Sequence, residues 1–220
     1  MCAVAGRRSL PCRRDGGEVK MTVNGDLSPL EKARRKVAEN PDSAEARVRL
    51  GTMLAKALRL EDAEAELLKA IEIDSGCLSA WINLGGVKLS RFDFQGCVEA
   101  NGRAVEVDPG CAIAWYNKGL GHLYLGQAAE MEACFRRVVE IEPSNAGGAY
   151  HLAVALHALG RTQEAYGWYR KCLSLGYEPQ PEFIRQMQKY EESINRQGKP
   201  AVLEFGPDSP AREPDKPKES

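Results

Sequence analysis

A repeat of 34 residues constrains the fold of this chain more than any other feature of its sequence. The segment AWINLGG at 80–86 returns 34 positions later as AWYNKGL at 114–120. The endings of the two copies are also related, since AVEVDP at 104–109 is followed by VVEIEP at 138–143. A fixed period of this size is typical of repeat arrays, in which each unit packs only against its neighbours.

The period divides the central part of the chain into four units. Their bounds are 44–77, 78–111, 112–145 and 146–179. Each unit holds two segments with apolar residues at helical spacing, which in the first unit are 46–58 and 61–73. Runs of β-branched residues with strand-like alternation do not occur. The sequence therefore predicts an all-α fold built from helix-turn-helix repeats.

A short helical segment precedes the four units, and we interpret 28–41 as half of a repeat that covers the open end of the array. Ser28 can cap a helix, Pro29 suits its first turn, and Glu31 completes a capping box. The segment Asn40-Pro41-Asp42 ends this helix.

A second flanking helix is predicted at 181–195, after a break containing two prolines. Phe183, Met187, Tyr190 and Ile194 are spaced by four, three and four residues and form one apolar stripe. We interpret this element as a capping helix, with the stripe against the last repeat and its polar face in water.

The two ends of the chain lack this periodicity. Residues 1–27 form a basic leader predicted to be disordered, and 196–220 form a charged, Pro-rich tail also predicted to be disordered. Three interpretations of the first 20 residues stay open: a disordered leader, an extension upstream of a true start at Met21, or a short organelle-targeting segment. Residues 201–205 (AVLEF) are the apolar island of the tail and are either an unremarkable continuation of the cap or a groove-binding segment.

Small residues recur in one phase of the first helices, at Gly51, Gly85, Gly119 and Ala153. Because glycine inside a helix costs about 0.5–1 kcal/mol relative to alanine, this recurrence indicates close helix packing. The large partners in the second helices are predicted to be Leu67, Phe135 and Tyr169, and Asn101 breaks this phase in the second unit.

These residues carry a resemblance to the tetratricopeptide repeat family. The family's 34-residue signature is met by Trp81, Leu84, Gly85, Ala104 and Pro109, and again by Trp115, Gly119, Phe135 and Pro143. The chain departs from it at Arg47 and Ala149 in place of Trp, Lys88 and His122 in place of an aromatic residue, Lys118 in place of Leu, and Ser75 and Tyr177 in place of Pro. The resemblance implies a right-handed superhelical solenoid over 44–179 and a non-catalytic binding module.

Composition and motifs argue against other classes of function. The charges nearly balance, with 30 basic and 31 acidic residues, and charged residues interrupt every window long enough to span a membrane. No nucleophile motif, phosphate-binding loop or Cys-x-x-Cys pair is present, so we expect no enzyme, no cofactor and no metal site. The basic residues gather in 1–37 and leave the array without a continuous basic stripe, which argues against nucleic acid. Seven cysteines in no paired pattern predict a reduced, cytoplasmic protein.

The resemblance assigns the inner wall of the solenoid to particular phases of the first helices. The predicted partner-binding residues are Ile82, Asn83, Tyr116, Asn117, Leu123, Tyr124, Tyr150 and His157. Asparagines in this phase of the family can hold the backbone of an extended peptide, and a carboxamide both donates and accepts hydrogen bonds. The paired Lys and Asn with which other members clamp a terminal carboxylate are absent.

We therefore predict a scaffold that binds a peptide segment or helix of a protein partner in its groove. Tyr116, Tyr124 and Tyr150 are expected to be exposed there, because aromatic residues are favoured at binding hot spots. The alternative is a self-assembling protein that forms homo-oligomers by stacking arrays or by placing its tail in a groove.

Overall fold

A computed structural model describes residues 27–196 and shows only α-helices as regular structure in that part of the chain. The helices are α1 (Pro29–Glu39), α2 (Ala44–Lys56), α3 (Leu60–Ile73), α4 (Leu78–Ser90), α5 (Phe94–Val107), α6 (Ala112–Tyr124), α7 (Ala128–Ile141), α8 (Ala146–Ala158), α9 (Thr162–Ser174) and α10 (Pro181–Arg196). The first helices of successive units (α2, α4, α6, α8) begin 34 residues apart, and so do the second helices (α3, α5, α7, α9). The all-α repeat fold is confirmed.

The first unit shows why the helix bounds differ slightly from the pattern. Helix α2 begins at Ala44, two residues before the predicted start, because the Ser43 hydroxyl accepts a hydrogen bond from the Ala46 amide at 3.2 Å. It ends at Lys56 because the chain turns at Leu58, whose φ is 58°.

The capping box at the start of α1 is confirmed. The Ser28 hydroxyl accepts from the Glu31 amide at 3.3 Å, and the Glu31 carboxylate accepts from the Ser28 amide at 2.9 Å. These hydrogen bonds, first that of the Ser28 hydroxyl, lower the pKa of Glu31. Buried Ala33 then packs α1 against the core of the first unit.

The close packing of small on large residues is confirmed between first and second helices. A Cβ added to Gly51 would lie 2.8 Å from the side chain of Leu67, and one added to Gly119 would lie 2.8 Å from the ring of Phe135. These two contacts lie two repeat periods apart and are of the same kind. Such packing of a small residue against a large one sets the spacing between the two helices of a unit.

The apolar core is thin in the middle of the array. One buried cluster extends from α1 to α5 and another from α7 to α10, and a small cluster around Ala104 lies between them. Trp81 and Trp115 pack against this small cluster, but their rings are only half-buried. Each indole N–H donates to a backbone carbonyl, Trp81 to Ser75 at 2.8 Å and Trp115 to Pro109 at 2.9 Å.

The turns from first to second helices lie along one side of the array, which we call the turn edge. Each turn contains one residue with positive φ, and these residues follow the repeat: Leu58 (58°), Phe92 (62°), Gly126 (71°) and Gly160 (77°). Two glycines therefore occupy the phase in the last two units, whereas the first two units place bulky side chains there.

Helix α10 packs its apolar stripe against the last unit, as predicted. Phe183 and Met187 are buried, and the ring of Tyr190 lies 5.6 Å from that of Tyr166 in α9. The predicted leader (1–27), except for its last residue, and the predicted tail beyond 196, including 201–205, lie outside the described residues.

Candidate binding groove

The predicted wall residues lie on α4, α6 and α8 but in different environments. Ile82, Asn83, Tyr116, Asn117, Leu123 and His157 are half-buried, whereas Tyr124 is 59% exposed and Tyr150 is 7% exposed. The repeat phase alone therefore does not give eight equivalent contact residues. The wall side chains of the middle units and those of the last unit differ in how far they are exposed.

The two asparagines of the wall make different contacts. The Asn83 amide donates to the Thr52 hydroxyl at 3.2 Å, and this hydroxyl donates to the Val48 carbonyl at 2.8 Å. Asn83 is thus oriented by the preceding unit. The Asn117 carboxamide makes no hydrogen bond within residues 27–196, while its backbone carbonyl accepts from the Cys97 thiol at 3.4 Å. Both donors and the acceptor of that carboxamide are available to a ligand.

A shallow depression of about 250 Å³ lies at the start of α6. It is lined by Ala112, Ile113, Tyr116 and Asn145. Ile113 is 61% exposed, so the depression has an accessible apolar wall. Asn145 is fixed there because its side chain caps α8, accepting from the Gly148 amide at 2.8 Å. Ile113 lies one helical turn before Tyr116 and Asn117 on α6, whereas the wall phases gave no signal for Asn145, which belongs to a turn.

Tyr116 is held in place by aromatic contacts. Its ring meets Phe135 edge-on at a centroid distance of 5.3 Å and His151 at 5.7 Å. Burial raises the pKa of its hydroxyl, which therefore stays protonated near neutral pH. A Cβ added to Gly147 would lie 2.9 Å from that hydroxyl oxygen, so the small residue at 147 makes room for it.

His151 occupies the same phase as Asn83 and Asn117 but is not a third ligand of that kind. Its ring stacks on Phe135 at 4.9 Å and lies 4.9 Å from Tyr150. Desolvation lowers its pKa to about 4, and its Nδ1 atom is buried with no hydrogen-bond partner in the described residues. The neutral imidazole therefore acts as a packed ring between aromatic neighbours.

The expectation that Tyr150 is exposed in the groove is wrong. Its ring stacks on Tyr177 at 4.8 Å and meets Phe183 of α10 edge-on at 5.7 Å. His157 also lies under Phe183, at 5.9 Å. The physical reason is that α10 and the segment before it cover the inner face of the last unit. A signal was present in the sequence, because Phe183 follows Trp115 by two periods and so continues the array.

Tyr124 lies at the rim of the wall. It is the last residue of α6, and its ring stacks on Phe94 of α5 at 4.8 Å with an interplanar angle of 13°. This contact directs the side chain towards the turn edge. Any ligand that meets Tyr124 would do so where it leaves the groove.

Several titratable groups of the array are either paired or buried, as is typical of structural residues. Lys88 pairs with Glu64 at 2.8 Å and Asp93 at 3.0 Å, and these bonds, first that to Glu64, raise its pKa. Burial raises the pKa of the Cys97 and Cys134 thiols to about 11, so neither is a thiolate near neutral pH.

Among residues 27–196, no group of three His, Cys, Asp or Glu side chains is placed to hold a metal ion. No described helix is both long and apolar enough to cross a membrane.

Comparison with known proteins agrees with this architecture. A family model described as "Tetratricopeptide repeat" matches residues 30–76 and 116–176. No curated protein sequence matches the chain. Among solved structures, MamA superposes with a TM-score of 0.63 at 20% identity, covering 67% of this chain and 86% of that one.

Two further solved structures share the fold. PilF of Pseudomonas aeruginosa gives a TM-score of 0.67 at 18% identity, over 76% of this chain and 77% of that one. YrrB, described as a protein of this repeat class "with an unusual peptide-binding site", gives 0.62 at 20% identity, over 66% of this chain and 75% of that one. At these identities the similarity establishes the fold alone.

Proposed function

This chain belongs to the tetratricopeptide repeat family, and from that premise we propose that it is a non-catalytic scaffold that binds an extended segment of a protein partner along α4 and α6. The partner's backbone bonds to Asn83 and Asn117, and an apolar side chain of the partner enters the depression beside Ile113 and Tyr116. Ile82 and Leu123 add apolar contact, and Tyr124 meets the segment at the rim.

The observation that carries this proposal is the depression at the start of α6. Two of its lining residues, Ile113 and Tyr116, lie one helical turn apart on α6, and Ile113 stays largely exposed to solvent. An accessible apolar wall beside fixed polar groups is the usual composition of a ligand site. A ligand that covers Ile113 gains apolar burial at about 25 cal/mol per Å².

The asparagines support an extended rather than a helical ligand. Adjacent packed helices are about 8–10 Å apart, and residues three apart on an extended chain are separated by about 10 Å. Asn83 and Asn117 lie on adjacent first helices, so one strand-like segment can meet both. The uncommitted carboxamide of Asn117 offers a donor and an acceptor to the exposed backbone of such a segment.

The contrast between middle and outer units also supports a ligand on α4 and α6. Phe183 covers Tyr150 and His157 in the last unit, so these two residues act in packing α10. The same arrangement weighs against oligomers formed by stacking one array on the next. Buried Met187 anchors α10 on the surface that such stacking needs.

As part of this proposal we place the protein in the cytoplasm. All five cysteines between Cys77 and Cys172 are unpaired, which suits a reducing compartment. Neither the Cys97 and Cys134 thiols nor the imidazole of His151 has a pKa suited to acid–base or nucleophilic catalysis near pH 7.

The test is selection of peptides from a displayed random library, followed by calorimetry with the full chain. We expect selected peptides to share one apolar anchor. We expect Ile113→Asp and Asn117→Ala each to weaken their binding at least tenfold. Val107→Asp is the matched control, because Val107 is also an exposed apolar residue but lies on α5. Equal loss in the control, or no loss in either groove variant, would contradict the proposal.

A further inference from the structure

The turn edge carries an arrangement that repeat packing does not explain. Phe92 has a φ of 62° and its side chain is 79% exposed, although the same phase holds Gly126 and Gly160 in later units. The left-handed region is unfavourable for a residue with a Cβ, and for bulky residues most of all. Leu58 repeats both features, with a φ of 58° and 83% exposure. A glycine would relieve the strain and remove exposed apolar surface.

Phe92 is part of a row of three rings. It meets Phe94 edge-on at 6.3 Å, and Phe94 stacks on Tyr124 at 4.8 Å. We call Phe92, Phe94 and Tyr124 the edge aromatic cluster. The row joins the turn of the second unit to the end of α6, so it forms one continuous apolar ridge rather than isolated exposed residues.

The charges beside this ridge are already paired. Lys88 bonds to Glu64 and Asp93, and Arg91 pairs with Glu64 and Glu61. The ridge therefore offers apolar contact without net electrostatic attraction. An occupant that fits it is short, apolar and aromatic.

The contacts of α10 show where the chain leaves the described residues. Phe183, near the start of α10, meets Tyr169 in the middle of α9 at 6.0 Å. Tyr190, two turns later, meets Tyr166 near the start of α9 at 5.6 Å. Helix α10 thus runs antiparallel to α9, towards the turn edge. The end of α10 at Arg196 therefore lies on the same side of the array as the edge aromatic cluster.

The length of chain beyond Arg196 matches the distance to the cluster. Neighbouring first helices are about 8–10 Å apart, so Tyr124 lies about 20 Å and Phe92 about 30 Å from the end of α10. An extended chain spans about 3.3–3.6 Å per residue. Leu203 and Phe205, seven and nine residues after Arg196, can then reach about 24 and 31 Å.

We propose that residues 201–205 of this chain bind the edge aromatic cluster, with Leu203 and Phe205 against Tyr124 and Phe92. In an extended segment alternate side chains share one side, which puts Leu203 and Phe205 together and Glu204 on the side facing water. The segment has the size and apolarity of the ridge. Its Val202 and Glu204 lie away from the contact.

Tethering favours this occupant over a second copy of the chain. Five residues bury little surface, so their affinity as a free peptide is low. A short linker raises the effective concentration of the segment into the millimolar range, well above that of any other chain in dilute solution. The same binding covers Phe92, so the side chain at this strained position gains burial that a glycine would lack. This surface shares Tyr124 with the rim of the proposed groove but does not include the depression at Ile113, and the inference does not depend on the proposed function.

The test is site-specific photo-cross-linking of the full chain. Phe92 is replaced by p-benzoyl-phenylalanine, which keeps an aromatic ring, and the product is mapped by mass spectrometry at low protein concentration. We expect a cross-link within one chain to residues 201–205. The same analogue at Leu173, an exposed apolar residue of α9, is the control and should give none there.

Each other outcome overturns the proposal. Cross-links between two copies indicate a second chain as the occupant, cross-links to 21–26 indicate the N-terminal segment, and yields no higher than the Leu173 control indicate an unoccupied ridge. A second comparison tests the two side chains directly. Leu203→Asp with Phe205→Asp should lower the intrachain yield at least fivefold, whereas Glu204→Gln should leave it unchanged. Equal yields in both variants would also overturn the assignment.

Discussion

Asn101 in α5 packs directly against Gly85 in α4, in the phase where Leu67 meets Gly51 and Phe135 meets Gly119. Its Nδ2 atom donates to the Cys97 carbonyl at 2.9 Å, but its Oδ1 atom is buried with no hydrogen-bond partner among the described residues. The middle of the array therefore has a polar group where its neighbours have apolar ones. This matches the gap between the two large apolar clusters.

We predict that Asn101→Leu stabilises the protein. An unsatisfied buried acceptor such as the Asn101 Oδ1 atom costs about 1–3 kcal/mol, and Asn101→Leu removes that cost. The variant also loses the hydrogen bond to the Cys97 carbonyl, which offsets about 1 kcal/mol of the gain. We expect the free energy of unfolding to rise by about 1 kcal/mol, seen as a thermal midpoint about 2–4 °C higher by circular dichroism. Asn101→Asp is the control and should lower the midpoint, because it buries a carboxylate. A lower midpoint for Asn101→Leu would contradict the prediction.

Trp115 is a second case in which the middle of the array is only partly enclosed. Full burial would predict a loss of about 3–5 kcal/mol for Trp115→Ala, but the ring is half-buried, so we expect about 2–3 kcal/mol. Trp115→Phe keeps most of the packing and loses the indole bond to the Pro109 carbonyl, for about 1 kcal/mol. Chemical denaturation of the three proteins measures both steps. Equal losses in the two variants would show that the hydrogen bond, not the ring, is what matters.

The fold was predictable because its information is periodic. The pairing of Gly51 with Leu67 and of Gly119 with Phe135 follows from counting 34 residues, as do the starts of the helices. Each contact is local to one unit, and the residue pattern that produces it occurs several times in the sequence.

The candidate site was less predictable because its details are not periodic. Tyr150 has the phase of a wall residue, but Tyr177 and Phe183 cover it, and the wall phase of Tyr150 gives no sign of this; the sign lies in Phe183, which continues the array after Trp115. Tyr124 likewise takes its orientation from Phe94, one aromatic residue of the preceding second helix. The repeat phase gives the side of a helix on which a residue lies. Whether its side chain is exposed depends on which other segment of the chain packs on that side.

Leu58 gives a direct test of strain at the turn edge. A left-handed backbone conformation costs a residue with a Cβ about 1–2 kcal/mol, and glycine avoids this cost. Glycine loses more chain entropy on folding, however, which offsets about 0.5–1 kcal/mol of the benefit. The Leu58 side chain is 83% exposed, so its removal sacrifices little packing. We expect Leu58→Gly to raise the thermal midpoint slightly. Leu58→Val should lower it by a larger amount, since β-branched residues fit this region worst. If both variants are destabilised equally, the Leu58 side chain has a contact of its own.

His151 predicts a specific dependence of stability on pH. Desolvation lowers its pKa from 6.5 to about 4, so the folded protein keeps the ring neutral while the unfolded chain takes up a proton. Stability is therefore fully present above pH 6.5 and falls as the pH drops towards 4. From pH 7 to pH 5 this amounts to about 2 kcal/mol.

The measurement for His151 is the thermal midpoint at several pH values, compared with His151→Asn. Asparagine is the residue in the same phase of α4 and α6, and it does not titrate. Other groups, such as Asp93 with its lowered pKa, contribute equally to both proteins and cancel in the difference. We expect the midpoint of the wild-type protein to fall more steeply between pH 7 and pH 5. Parallel slopes would mean that His151 has the same pKa in the folded protein as in the unfolded chain.

Met187 tests whether α10 is the element that closes the last unit. Its side chain is fully buried in the cluster that contains Tyr150 and Tyr169, so Met187→Asp places a charge in an apolar contact. We expect α10 to detach, which exposes these aromatic rings, raises the binding of a hydrophobic dye and increases light scattering with time. Arg185→Ala is the matched control on the same helix, because Arg185 forms only an exposed pair with Glu182, worth about 0–1 kcal/mol. Dye binding that stays at the control level in Met187→Asp would show that the last unit is stable without its cap.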